Sequence, residues 1–159
     1  MVIYIGADHR GFKIKESLAN ILKYGGYPVV DVGNTHYDEH DDYVDFAKKV
    51  AEKVSIDYEH NRGILICGSG AGMEIVANKH PNVRASLAHT PDQAFDGRND
   101  DDTNILCLGA NYLNEELAKK IALTWLQTPF SKEPRYRTRI EKILQVEMER
   151  MRPLHDSDE

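Results

Sequence analysis

Cys67 is the residue in this chain best placed to move a proton. It closes the apolar run Ile64-Leu65-Ile66-Cys67 and is followed at once by Gly68-Ser69-Gly70-Ala71-Gly72. A short apolar run closed by glycines reads as a buried strand of a parallel sheet. The residues after the turn, Met73 to Lys79, can start a helix. In open α/β sheets, ligands gather where strands end and helices begin. A thiol and a row of backbone N–H groups would meet at that edge. The thiolate can take a proton, and the N–H groups can hold the negative charge that results. The competing reading of these glycines is a tight turn and nothing more.

Other residues compete for chemical roles. Asp8-His9 follows the first strand at the same carboxyl edge, where either residue could simply cap the next helix. Arg135 and Arg139 share a helix face while Arg137 points elsewhere; two guanidiniums on one face suit a phosphate clamp or a solvated surface equally. His36-Tyr37-Asp38-Glu39-His40 matches the inverted zinc-protease pattern, but it sits in an acidic loop running through Asp41-Asp42 rather than on a helix. It reads as chance, and no metal is expected. A dinucleotide fingerprint fails because Met73 stands where its last glycine belongs, and a Walker A loop fails for want of Gly-Lys-Ser/Thr. Cys107, inside Ile105-Leu106-Cys107-Leu108, reads as a small buried hydrophobe. Asp100-Asp101-Asp102 reads as a solvated loop.

The elements that must position these residues follow from apolar spacing. Strands are expected at Val2 to Ile5 (stopped by Gly6), Val29 to Val32, Gly63 to Cys67, Arg84 to Ala88 and Asn104 to Leu108. Helices are expected at Phe12 to Tyr24, from Tyr43 through Val54, briefly after Thr90-Pro91, from the Asn114 cap to Gln127, and from Pro134 to Arg152. Strands alternating with helices predict an α/β fold, a doubly wound, Rossmann-like parallel five-stranded sheet with helices on both faces. The last helix comes after the sheet is complete. Its stripe of Ile140, Ile143, Leu144 and Met151 therefore needs something else to cover, and a partner subunit answers that need. Residues 1–152 form a single domain, and 153–159 are expected to be a disordered polar tail.

The 159 residues, 41% hydrophobic and 29% charged, suffice for one domain with its own core. A net charge of −6 argues against nonspecific nucleic-acid binding but allows a small anion held by local arginines. Two cysteines fit a reducing compartment, and the opening Met-Val-Ile-Tyr-Ile-Gly lacks the basic region of a signal peptide and the length of a membrane span. A cytoplasmic protein with no membrane partner is expected.

Together these residues resemble the type B ribose-5-phosphate isomerases, whose wider family includes the galactose-6-phosphate isomerase subunits. The similarity covers about residues 1–147. It is carried by Gly6-Ala7-Asp8-His9, Asp42-Tyr43, Ile66 to Gly72, Ala77-Asn78-Lys79, Val83-Arg84-Ala85, Asp102-Thr103-Asn104, and Arg135 with Arg139-Ile140-Glu141. The resemblance implies a Rossmann-like homodimer, whose dimers could pair further, with sites between subunits and no metal or cofactor. It implies interconversion of ribose 5-phosphate and ribulose 5-phosphate, a pentose phosphate pathway step, through a cis-enediolate. Cys67 would be the base, Ser69 would assist, and Gly68, Gly70, Ala71 and Gly72 would hold the enediolate oxygens. Asp8 would help ring opening, His9, Arg135 and Arg139 would hold the phosphate, and Tyr43 would line the pocket. In a subset of the family a glutamate takes the place of Met73 as base, so this chain resembles the cysteine version. The family commonly has histidine then asparagine where Asp100 and Asp101 stand, so the resemblance puts Asp100 in the place of the ring-opening acid and Asp101 among the substrate-binding residues. It also commonly has a phosphate-binding arginine where Ala110-Asn111 stand. A hexose phosphate or another pentose phosphate as substrate, and a sugar-phosphate binder with weak turnover, are the alternatives.

Overall fold

A computed structural model describes residues 1–151, except for the side chain of Met151. The expected end of the last helix at Arg152, the place of Met151 in its stripe, and the tail 153–159 lie outside the described residues. The strands are β1 (Ile3–Ala7), β2 (Val29–Asp31), β3 (Arg62–Cys67), β4 (Ala85–Leu87) and β5 (Ile105–Gly109). The helices are α1 (Phe12–Tyr24), α2 (Tyr43–Ile56), α3 (Ala71–Ala77), α4 (Pro91–Asp101), α5 (Glu115–Gln127) and α6 (Pro134–Met151). All strand pairs are parallel, in the order β2-β1-β3-β5-β4.

Both faces of the sheet are buried, which is why its strands read as continuous apolar runs. The two-residue pleat sorts them. Ile3, Ile5, Ile64, Ile66, Leu106 and Leu108 face α1 and α5, where they meet Leu18, Leu22, Ile121 and Trp125. Leu65, Cys67, Ile105 and Cys107 face α2 and α3, against Phe46, Val50, Val54 and Met73. The direction in which strands are added across the sheet reverses at β1, since β2 lies on one side of it and β3 on the other. That switch point opens a crevice at the carboxyl ends of the two strands.

Three expectations need correction. Gly6 does not stop β1; it pairs with Leu65, and α2 packs so closely there that a Cβ would lie 3.1 Å from Val50 Cγ2. The helix after Thr90-Pro91 is longer than the sequence implies. Thr90 Oγ1 accepts from the Gln93 N–H at 3.2 Å, and at the other end Arg98 Nη1 donates to Asp102 Oδ1 at 2.8 Å. Asp100 and Asp101 are therefore the last turn of α4 and not a loop, with Asp102 capping it at φ 46°. The stripe on α6 is only partly sheltered: Ile140 and Leu144 are half-buried, but Ile143 is 44% exposed. No described helix is long and apolar enough to cross a membrane.

Candidate active site

The register of β1 on β3 places Ala7 beside Ile66, so the residues that follow each strand emerge together. A cavity of about 330 Å³ opens there, lined by Asp8, His9, Arg10, Tyr43, Cys67, Gly68, Ser69, Gly72 and Asn111. Cys67 lies at its base, almost fully buried, and its Sγ accepts from the Gly70 N–H at 3.1 Å. A donor aimed at the sulfur steadies negative charge there once the proton has left. Gly70 makes this contact at φ +79°, and a Cβ on it would come within 2.5 Å of Leu87 Cδ1, so only glycine fits. α3 starts at Ala71, two residues before the expected Met73, because the turn closes directly into the helix. Ser69 is exposed at the mouth, its Oγ accepting from the Ala71 N–H at 3.3 Å. The ring of Tyr43, at the start of α2, packs over Gly72 where a Cβ would lie 2.5 Å from Cε2.

Asp8 turns inward from the end of β1. Its Oδ1 accepts from the N–H groups of Arg10 at 3.0 Å and Gly11 at 3.2 Å, so it caps the turn as well as facing the cavity. Burial raises its pKa above the ordinary aspartate value, and the Gly11 N–H, the nearby His9 and the Arg10 N–H pull it part of the way back. His9 is held by Asp41, whose Oδ1 lies 2.8 Å from both the His9 backbone nitrogen and Nδ1. Asp41 is itself steadied by Asn34 Nδ2 at 3.0 Å.

Cys107 is fully buried one strand away, and burial pushes its thiol well above the ordinary range, with Glu74 adding to the effect. A buried, uncharged thiol is inert.

The cavity thus gathers Asp8, His9, Tyr43, Cys67, Gly68, Ser69 and Gly72, with Gly70 and Ala71 in the same turn. It does not gather Asp100, Asp101, Arg135 or Arg139. Asp100 and Asp101 precede β5, at the opposite edge of the sheet. Four steps of strand rise separate Ile105 from Gly109, roughly 13 Å. Asp101 instead helps line a larger groove of about 890 Å³ between β4 and α6, with Arg84, Ile143, Val146 and Glu147. Burial raises the Asp101 carboxyl, Asp100 adds to this, and Arg139 opposes it. The cavity residue Arg10 and the orienting Asp41 have no role in the reading from sequence, and Asn111 enters it only at the position where relatives commonly have an arginine. Among the described residues, no group of three or more His, Cys, Asp or Glu is arranged to hold a metal. His36 and His40 lie in a loop.

A thiol and a carboxylate thus line one cavity with a glycine turn at the switch point of an α/β sheet, the place where ligands of such enzymes bind. A profile of the ribose/galactose isomerase family matches residues 3–143. The ribose-5-phosphate isomerase B of Escherichia coli is 38% identical over 93% of this chain and 97% of its own. The crystal structure of the Mycoplasma genitalium ribose-5-phosphate isomerase B with bound ribulose-5-phosphate superposes with a TM-score of 0.90, at 37% identity over 93% of this chain and 97% of that one. A D-erythrulose-4-phosphate isomerase of Pectobacterium atrosepticum is 37% identical over 80% of this chain and 84% of its own. The chain belongs to the ribose/galactose isomerase family, and it is an enzyme, an intramolecular oxidoreductase.

Proposed function

We propose that the protein interconverts ribose 5-phosphate and ribulose 5-phosphate, with Cys67 as the base. The observation that carries this reading is the Gly70 N–H donating to Cys67 Sγ at 3.1 Å on the floor of a cavity that Asp8 also faces. The Cys67 thiolate takes the proton from C2 of the open aldose, and the electron pair moves to form the enediolate. The N–H groups of the Gly68–Gly72 turn stabilise the developing oxyanion, commonly the largest catalytic contribution in such sites. The thiol returns the proton to C1 while a hydroxyl proton passes from O2 to O1, giving the ketose. Ring opening precedes this in the aldose direction, and Asp8 as carboxylate takes the proton from the anomeric hydroxyl. The ring oxygen needs a proton donor, a part that the raised pKa fits Asp101 to play better than an ordinary carboxylate.

Asp100, Asp101, Arg135 and Arg139 serve the site of a second copy in this reading, in a homodimer built on α6. Support comes from their distance from Cys67 in one chain and from the exposed apolar residues of α6, with Val146 57% and Ile143 44% exposed. The test of the base is Cys67→Ala, which should abolish both turnover and exchange of the C2 proton with solvent, while Cys107→Ala retains both. Equal loss in the two variants, each folded, would sink the assignment.

A second substrate is favoured by the carboxylates of Asp100 and Asp101, which are poor donors to a ring oxygen when ionised. A four-carbon aldose 4-phosphate cannot close a furanose, because its O4 is esterified, and so needs no ring-opening acid. The similarity to a D-erythrulose-4-phosphate isomerase agrees with that choice. A panel of four-, five- and six-carbon aldose phosphates, compared by kcat/KM, decides between them.

A further inference from the structure

We infer that Arg10, with Asn111, seats the phosphate of the substrate from within the same chain; this rests on the sugar-phosphate reading of the cavity. Arg10 is the sole arginine or lysine among the residues lining it. His9, the other basic residue there, is already paired with Asp41 at 2.8 Å. Arg10 is exposed and has no carboxylate partner among the described residues.

The placement of the two side chains is specific. A Cβ on Gly68 would lie 3.2 Å from Arg10 Nη1 and 3.2 Å from Asn111 Nδ2. Two donor groups therefore flank a bare glycine. Both are anchored through their own backbones: the Arg10 N–H donates to Asp8 Oδ1 at 3.0 Å, and the Asn111 N–H donates to the Gly68 carbonyl at 2.9 Å. A phosphoryl group offers several acceptor oxygens and a double negative charge, and a guanidinium can engage two of those oxygens at once. With the phosphate seated by Gly68, the rest of the glycine turn and Cys67 Sγ face the sugar oxygens and C2.

The experiment compares the wild type with Arg10→Ala, Arg10→Lys and the double variant Arg10→Ala/Asn111→Arg. Two quantities are read: steady-state constants with ribose 5-phosphate, and the Kd of inorganic phosphate by titration calorimetry, which needs no turnover. Arg10→Ala should raise both KM and the phosphate Kd by about tenfold or more, with kcat within about threefold, the signature of lost uniform binding. Arg10→Lys should recover part of the loss, because a point charge lacks the planar fork. Returning a guanidinium from position 111 should restore phosphate binding. Unchanged KM and phosphate Kd in a folded Arg10→Ala variant would overturn the inference. So would a fall in kcat at constant KM, which would place Arg10 on the enediolate. Failure of Asn111→Arg to restore binding would overturn the shared seat at Gly68. If the wild type turns over no aldose phosphate yet binds phosphate through Arg10, the isomerase reading fails and the anion seat stands.

Discussion

In the proposed mechanism, Asp8 has two parts whose demands conflict. Its Oδ1 closes the turn after β1 by accepting two backbone N–H groups, while its burial disfavours the charge that ring opening requires. The sign of the effect on stability follows from the raised pKa. The folded chain holds this proton more tightly than the unfolded chain does, so the ionised carboxylate weighs against folding above the folded pKa, and that penalty vanishes below the ordinary aspartate value of about 3.9. Asp8→Asn keeps an oxygen acceptor for both N–H groups and removes the buried charge. Thermal melts should therefore show Asp8→Asn more stable than wild type at pH 7, with the advantage gone near pH 3. Its activity should move the other way. In the wild type, kcat/KM on a cyclic aldose phosphate should rise with pH through an acid limb lying above the ordinary carboxylate value; Asp8→Asn should lose that limb along with most of the rate. A wild-type acid limb that persists in Asp8→Asn would assign the titration to another group.

At the scale of elements, a partly buried chain of polar contacts runs from α1 through the loop at 33–42 to the cavity edge. Lys15 is fully buried in α1, and its Nζ donates to Asp31 Oδ2 at 2.6 Å, at the end of β2, and to the Asn34 carbonyl at 2.8 Å. Asn34 in turn holds Asp41, and Asp41 holds His9. Lys15→Met would remove the buried end of an ion pair whose other end, Asp31, is 24% exposed, a loss of about 1–3 kcal/mol. Urea unfolding should show a loss in that range, and the surviving enzyme should bind substrate less tightly as His9 loosens. Full stability in this variant would show that the contacts are incidental. None of this relay is legible in the sequence, because Asp41 and His9 meet across 32 residues through a loop with no periodicity to read. What periodicity and caps do convey is considerable. α1 begins and ends where its apolar spacing and Gly25 place it, and Asn114 caps α5 by accepting from the Leu117 N–H at 2.8 Å. α4 escapes such reading because it buries only Ala94, Gly97 and Arg98, too few for a stripe, so its final turn of aspartates looks like loop. Likewise Cys67, Asp8, His9 and the glycine turn stand out by their places at strand ends, whereas Arg10 gains meaning only once β1 and β3 are side by side.

The molecule as a whole separates its candidate chemistry onto two edges of one sheet. The thiol and Asp8 lie at the carboxyl ends of β3 and β1, while Asp100 and Asp101 lie ahead of β5. Asp100 and Asp101 also end a helix, where the negative pole of the dipole disfavours carboxylates, and such breaches of a local preference tend to mark function. α6 has no fully buried side chain among residues 134–150 and is tied to the domain in part by Glu147, which accepts from the Asn82 N–H at 2.9 Å. A two-fold pairing through α6 would cover its apolar residues and bring each chain's Arg135, Arg139, Asp100 and Asp101 to the other's cavity, making two equal sites. Complementation tests this directly. A Cys67→Ala chain and an Arg139→Ala chain should each be nearly inactive alone. In a heterodimer of the two, one site carries both defects and the other carries neither, so the isolated heterodimer should recover about half of wild-type activity, and an evenly mixed population about a quarter. Purified heterodimers with no more activity than the inactive parents would mean that each site is built from one chain.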